Sequence, residues 1–124
     1  MNGIEFDTSQ TSLRAVLKDY QELALHVVWN SPEGTNSRTV WEKVNQALVG
    51  KTISRASIIN FLEYMRKAGV LDAYDRTGKG GHQFVYRMGM NEEQFKQFIV
   101  KTLLESLMRD FPEETRESIA KLLS

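Results

Sequence analysis

The residues able to do chemistry in this chain fall into two short stretches. Ser54-Arg55-Ala56-Ser57-Ile58-Ile59-Asn60 mixes hydroxyls, a guanidinium and a carboxamide, and Asp75-Arg76-Thr77-Gly78-Lys79-Gly80-Gly81-His82 sets cations among glycines. On an exposed helical face, a guanidinium or a carboxamide makes paired hydrogen bonds to flat polar edges, Arg with guanine and Asn with adenine. Hydroxyls and lysines hold phosphate oxygens without reading sequence. This is recognition chemistry. Catalysis finds no comparable support. There is no Cys, so thiolate nucleophiles, thiolate metal sites and disulfides are excluded, and His26 and His82 are far apart with no Asp/Glu cluster at ligand spacing. Gly78-Lys79-Gly80-Gly81 lacks the G-x-x-x-x-G-K-[ST] spacing of a nucleotide loop and leads into a strand. Glu92-Glu93 and Glu113-Glu114 open helices, where the positive end of the dipole accounts for them. No catalytic residue, metal or cofactor is expected, and the chain reads as a binding protein and not an enzyme.

The elements that must position these groups follow from apolar periodicity. Leu13, Val16, Leu17, Tyr20, Leu23, Ala24, Val27 and Val28 recur at helical spacing behind Ser12 as a cap, predicting a helix over 12–29 that Pro32 and Gly34 terminate. Ser37 then caps a helix with Val40, Trp41, Val44, Ala47 and Leu48 inward, closed at Gly50. Ser54 caps a third, with Ile58, Phe61, Leu62, Met65 and Ala68 inward and Gly69 at its end. Its far side therefore carries Ser54, Arg55, Ala56, Ile59, Asn60 and Glu63. Residues 70–74 and 82–88 are β-rich, Phe84, Tyr86 and Met88 alternating with Val85 and Arg87, so a hairpin with a flexible basic tip is expected. Asn91 with Gln94 makes a capping box for a fourth helix ending near Arg109, and Pro112 opens a fifth.

Three helices followed by a hairpin form the element order of a winged helix-turn-helix. In it the third helix can enter the major groove and the hairpin, or wing, reaches the neighbouring backbone or minor groove. The expected fold class is mainly α with a small β-hairpin (α+β), comprising an N-terminal extension at 1–11 without ordering signals, a winged-helix DNA-binding domain at 12–90 and a helical dimerisation region at 91–124. The expected partner is double-stranded DNA. Arg55 and Asn60 are the candidate base readers, and Ala56 and Ile59 lie against thymine methyls. Lys51, Ser54 and Ser57 hold phosphates, Arg38 is a further DNA-binding candidate, and Arg76, Lys79 and His82 act from the wing. Charge segregation agrees: the sixteen cations and sixteen anions cancel overall, yet residues 34–90 hold nine basic against four acidic residues, with acidic excesses on both sides.

The last third carries Phe95, Phe98, Ile99, Leu103, Leu107, Ile119 and Leu122, more apolar surface than a three-helix core can cover, so these are expected to pair two copies. Twofold pairing would set two reading helices about 34 Å apart on a palindromic site. The N-terminus lacks a secretory pattern and no stretch approaches the ~20 apolar residues of a membrane span, so a cytoplasmic protein is expected. A competing reading is a winged-helix module that binds another protein through Phe84, Tyr86 and the C-terminal helices, never touching DNA.

The runs Tyr20 to Trp29, Ser37 to Leu48, Ile53 to Leu71 and Phe84-Val85-Tyr86 resemble the penicillinase/methicillin-resistance repressor family, over roughly residues 17–90. The resemblance implies a winged-helix DNA-binding domain, a helical dimerisation region and repression at dyad operators. It puts the start of the reading helix on Ser54, Arg55, Ser57 and Asn60, and the wing on Arg76 to Arg87. Tyr64 and Ile59 depart from the family pattern. The absence of Cys separates the chain from the copper-responsive branch, and nothing in the sequence identifies an inducer or signalling partner.

Overall fold

The computed structural model describes residues 5–78 and 81–124, which divide into two compact units at Met90 and Asn91. In the first unit a 3₁₀ turn, Ser12–Ala15, precedes α1 (Asp19–Trp29), α2 (Ser37–Ala47), α3 (Arg55–Lys67) and an antiparallel hairpin of β1 (Leu71–Gly78) and β2 (Gly81–Met88). The second holds α4 (Glu92–Asp110) and α5 (Pro112–Leu123). The fold is a winged helix with added C-terminal helices. No helix among the described residues is long and apolar enough to cross a membrane.

The expected single helix over 12–29 is corrected to two pieces. Ser12 takes a positive φ of 55° instead of capping, and Lys18 is extended, with the Gln21 side chain accepting its N–H at 2.9 Å. A 3₁₀ turn also recurs about every three residues, so Leu13, Val16 and Leu17 are buried without a continuous helix. The buried face of α1 is Tyr20, Gln21, Ala24, Leu25 and Val28; Leu23 and Val27 are only half-buried.

The cap of α2 is Asn36 and not Ser37, since its side chain accepts from the Thr39 N–H at 2.8 Å. Ser54 caps α3 as expected, accepting from the Ser57 N–H at 3.1 Å, and Gly69 ends it at φ 84°. The core joins Val40 and Val44 of α2 to Ile58, Phe61, Leu62 and Met65 of α3, all fully buried, with Tyr20 edge-on to Phe61 at 6.4 Å.

The strands extend closer to the tip than the β-rich flanks indicated, with Asp75 opposite Phe84 and Arg76 opposite Gln83 in the ladder. Thr35 adds a bridge to this hairpin, exchanging both backbone hydrogen bonds with Tyr86 at 2.7 and 2.8 Å. Gly34, at φ 102°, lets the chain reach this bridge, and a β-carbon there would drive into Val85.

In the second unit, Asn91 and Gln94 form the expected reciprocal cap of α4. Pro112 opens α5, and the Thr115 hydroxyl donates back to the Leu107 carbonyl at 3.1 Å.

Candidate nucleic-acid interface

The start of α3 is held from behind. The Trp41 indole N–H and the Asn45 carboxamide both donate to the Ile53 carbonyl, at 2.9 and 3.2 Å, and Asn45 accepts from the Ile53 N–H at 2.8 Å. Ile53 immediately precedes the cap Ser54, so two side chains of α2 fix where α3 begins. Trp41 fits the expected inward stripe, but its polar edge and Asn45 carry a positioning role that apolar periodicity does not reveal.

With Ile58, Phe61, Leu62 and Met65 inward, Arg55, Ala56, Ile59 and Asn60 are exposed near the helix start and Ser57 is half-buried. The Ser54 hydroxyl donates to that of Ser57 at 2.9 Å, while Arg55 makes one long contact, 3.5 Å, to the Ser37 hydroxyl. A contact of that length holds the guanidinium weakly and leaves its paired donors available to a flat acceptor edge. Arg38 is exposed and pairs with Glu42 at 3.2 Å one turn along α2. Lys51 is also exposed and pairs with Asp19, whose carboxyl this hydrogen bond holds below its ordinary value. Exposed pairs of this kind contribute only about 0–1 kcal/mol and exchange readily for another anion.

Glu63 is corrected. Sequence position put it on the outward face, but its carboxylate takes a bidentate pair from Arg66 at 2.8 and 3.1 Å and accepts the Tyr86 hydroxyl at 2.7 Å. The Arg66 hydrogen bonds lower its pKa, with a smaller contribution from Tyr86 opposing partial burial. Tyr86 itself is buried, its hydroxyl pKa pushed up by burial and then by Glu63, so it cannot serve the aromatic docking face of the competing reading. Phe84 can, being 47% exposed.

Arg76 is exposed on β1, and Arg87 lies over the Tyr74 ring at 5.5 Å. Lys79 and the His82 side chain, both expected at the wing tip, lie outside the described residues. Among the described residues no three His, Asp or Glu gather at metal-binding distance.

Among solved structures, the chain is similar to a possible transcriptional regulator from Methanosarcina mazei Go1. The TM-score is 0.58 at 12% identity, over 94% of this chain and 98% of that one. At that identity the likeness is one of fold. No family model and no curated protein matches the chain.

In the C-terminal unit, Phe95 is fully buried and stacks on Phe98, ring centroids 6.4 Å apart. Its place in the expected pairing surface is corrected accordingly, because the chain's own packing already covers it. Phe98, Ile99, Leu103, Leu107 and Ile119 are half-buried and Leu122 is exposed. Leu123, on the same expected apolar edge of α5 as Leu122, is exposed as well, as are Val100, Leu104 and Phe111, which the helical stripes did not include. Leu104, Leu107, Phe111, Ile119 and Leu122 line an open groove of about 320 Å³.

Proposed function

We propose that the protein is a DNA-binding transcriptional regulator that reads duplex sequence with the start of α3 and grips the flanking backbone with the β1–β2 wing. One observation carries this reading: Arg55, Ala56, Ile59 and Asn60 stand exposed on a helix whose opposite side is fully buried, and a hairpin bearing exposed Arg76 packs against that same helix. An Arg and an Asn five residues apart, about 7.5 Å along the helix, can each reach a base edge in the major groove. The excess of cations over residues 34–90 favours approach to a polyanion. The solved structure of like fold, called a possible transcriptional regulator, supports the same reading.

In its finer form, the protein is a cytoplasmic repressor of the penicillinase/methicillin-resistance type, acting as a homodimer on a palindromic operator and occluding the promoter. The exposed Phe111, Leu122 and Leu123 support pairing through the C-terminal helices. It acts by binding and uses no cofactor.

The test is retention of unselected genomic fragments by the purified protein at low salt, followed by sequencing. The expected result is enrichment of an inverted repeat with half-sites about one helical turn apart. No fragments retained would favour the protein-binding alternative, for which Phe84 is the available aromatic, and fragments retained without any shared sequence would overturn sequence reading by α3.

A further inference from the structure

Tyr86 lies where three elements meet. Its backbone exchanges both hydrogen bonds with Thr35 between α1 and α2, it pairs with Ala73 of β1, and its hydroxyl reaches the carboxylate of Glu63 on α3 at 2.7 Å. Glu63 is itself held by both arms of the Arg66 guanidinium, 2.8 and 3.1 Å away, so it has little freedom to follow the hydroxyl if the hairpin swings. The tyrosine ring is buried and the carboxylate partly so, and a charge-assisted hydrogen bond shielded from water is stronger and more directional than an exposed one.

Two strands joined only to each other would leave the wing free to tilt, since an isolated two-stranded hairpin is marginal in water. The Thr35 bridge fixes where the hairpin is anchored. The bond from Tyr86 to Glu63 ties a side chain of β2 directly to the helix that carries Arg55 and Asn60, alongside the buried Leu71 and Val85 that seat the hairpin on the core.

We propose that Tyr86, Glu63 and Arg66 form a clamp that sets the angle of the wing against the reading helix, so that wing cations and the outer face of α3 reach one duplex together. This rests on the DNA-binding reading above. The three are positioning residues: none of them needs to touch DNA. The clamp ties the grip of the wing to the grip of the helix, and affinity then depends on both being made at once.

The experiment compares wild type, Tyr86→Phe, Arg76→Ala and the double variant on the duplex enriched from genomic fragments, across a salt series. Tyr86→Phe keeps the ring in its packed position and removes one hydroxyl. Its salt slope is expected to shallow by about one to two, roughly one for each phosphate that the wing no longer reaches, as the slope scales with phosphates neutralised. Arg76→Ala should then have little further effect in the Tyr86→Phe background. Additive effects of the two substitutions, or an unchanged slope in Tyr86→Phe, would overturn the clamp. If Tyr86→Phe does not fold, Glu63→Ala takes its place with the same expectations. If wild type binds no duplex, the DNA reading fails by itself, and amide hydrogen exchange decides the clamp. Faster exchange along residues 72–76 and 83–87 of Tyr86→Phe, with α3 unchanged, supports it; identical exchange refutes it.

Discussion

Arg55 and Asn60 should separate from Arg76 in what their removal does. Arg55→Ala should cost about 1–3 kcal/mol of binding and relax preference at one base position, leaving the salt slope nearly unchanged. Arg76→Ala should weaken every duplex alike and flatten the slope by about one. Gel shifts on the enriched sequence and single-base variants over several salt concentrations distinguish these outcomes. Glu63 makes a further prediction in acid. Its pKa is lowered in the folded chain, chiefly by Arg66, so its contribution to stability is present above its ordinary value of 4.5 and is lost as pH falls through the lower folded value. Thermal melts of Glu63→Gln should therefore fall less steeply below about pH 4.5 than those of wild type, while an equal fall would show that the carboxylate is not engaged. The exposed groups at the start of α3 are legible in sequence because helical spacing alone decides which side faces outward. Glu63 satisfies the same spacing, but its partner Tyr86 lies 23 residues away, and no local pattern records that hydrogen bond.

At the scale of elements, what positions α3 is a cap in front and two side chains behind. Ser54→Ala should remove about 1 kcal/mol of stability, and Asn45→Ala more, since it strands the Ile53 N–H and leaves the Ile53 carbonyl to Trp41 alone. Denaturant melts check both, and Asn45→Ala should also weaken DNA binding beyond its effect on stability. Gly34→Ala should destabilise more than an ordinary surface substitution, because it meets a positive φ of 102° and the Val85 side chain at once. A midpoint unchanged from wild type would mean that the Thr35 bridge tolerates a shift. The three helices, the hairpin and the two C-terminal helices follow from periodicity and capping residues. The break at Val16 to Lys18 does not, because a 3₁₀ turn and an α-helix place apolar residues at nearly the same intervals. Asn36 and Ser37 are both good caps, and sequence alone does not choose between adjacent candidates. Thr35 is a lone bridge, shorter than any strand pattern can register.

For the whole molecule, the proposed function divides the work between a cation-rich unit that would meet DNA and a C-terminal unit whose exposed apolar groups would meet a second copy. Phe111→Ser combined with Leu122→Ser should shift sedimentation from dimer to monomer, and should weaken binding to an inverted repeat far more than to an isolated half-site. Equal weakening on both duplexes would remove the twofold arrangement from the account. Which apolar residues remain exposed is only partly legible in sequence: Phe95 of α4 and Leu122 of α5 are both expected at the pairing surface, yet one is fully buried and the other 84% exposed, a difference that tertiary packing makes. The most direct measurement of the central claim is backbone amide chemical-shift mapping as the enriched duplex is added to labelled protein. Shifts concentrated at Ser54 to Asn60 and around Arg76 are predicted. Shifts confined to α4 and α5, or to the exposed edge around Phe84 with α3 silent, would contradict it.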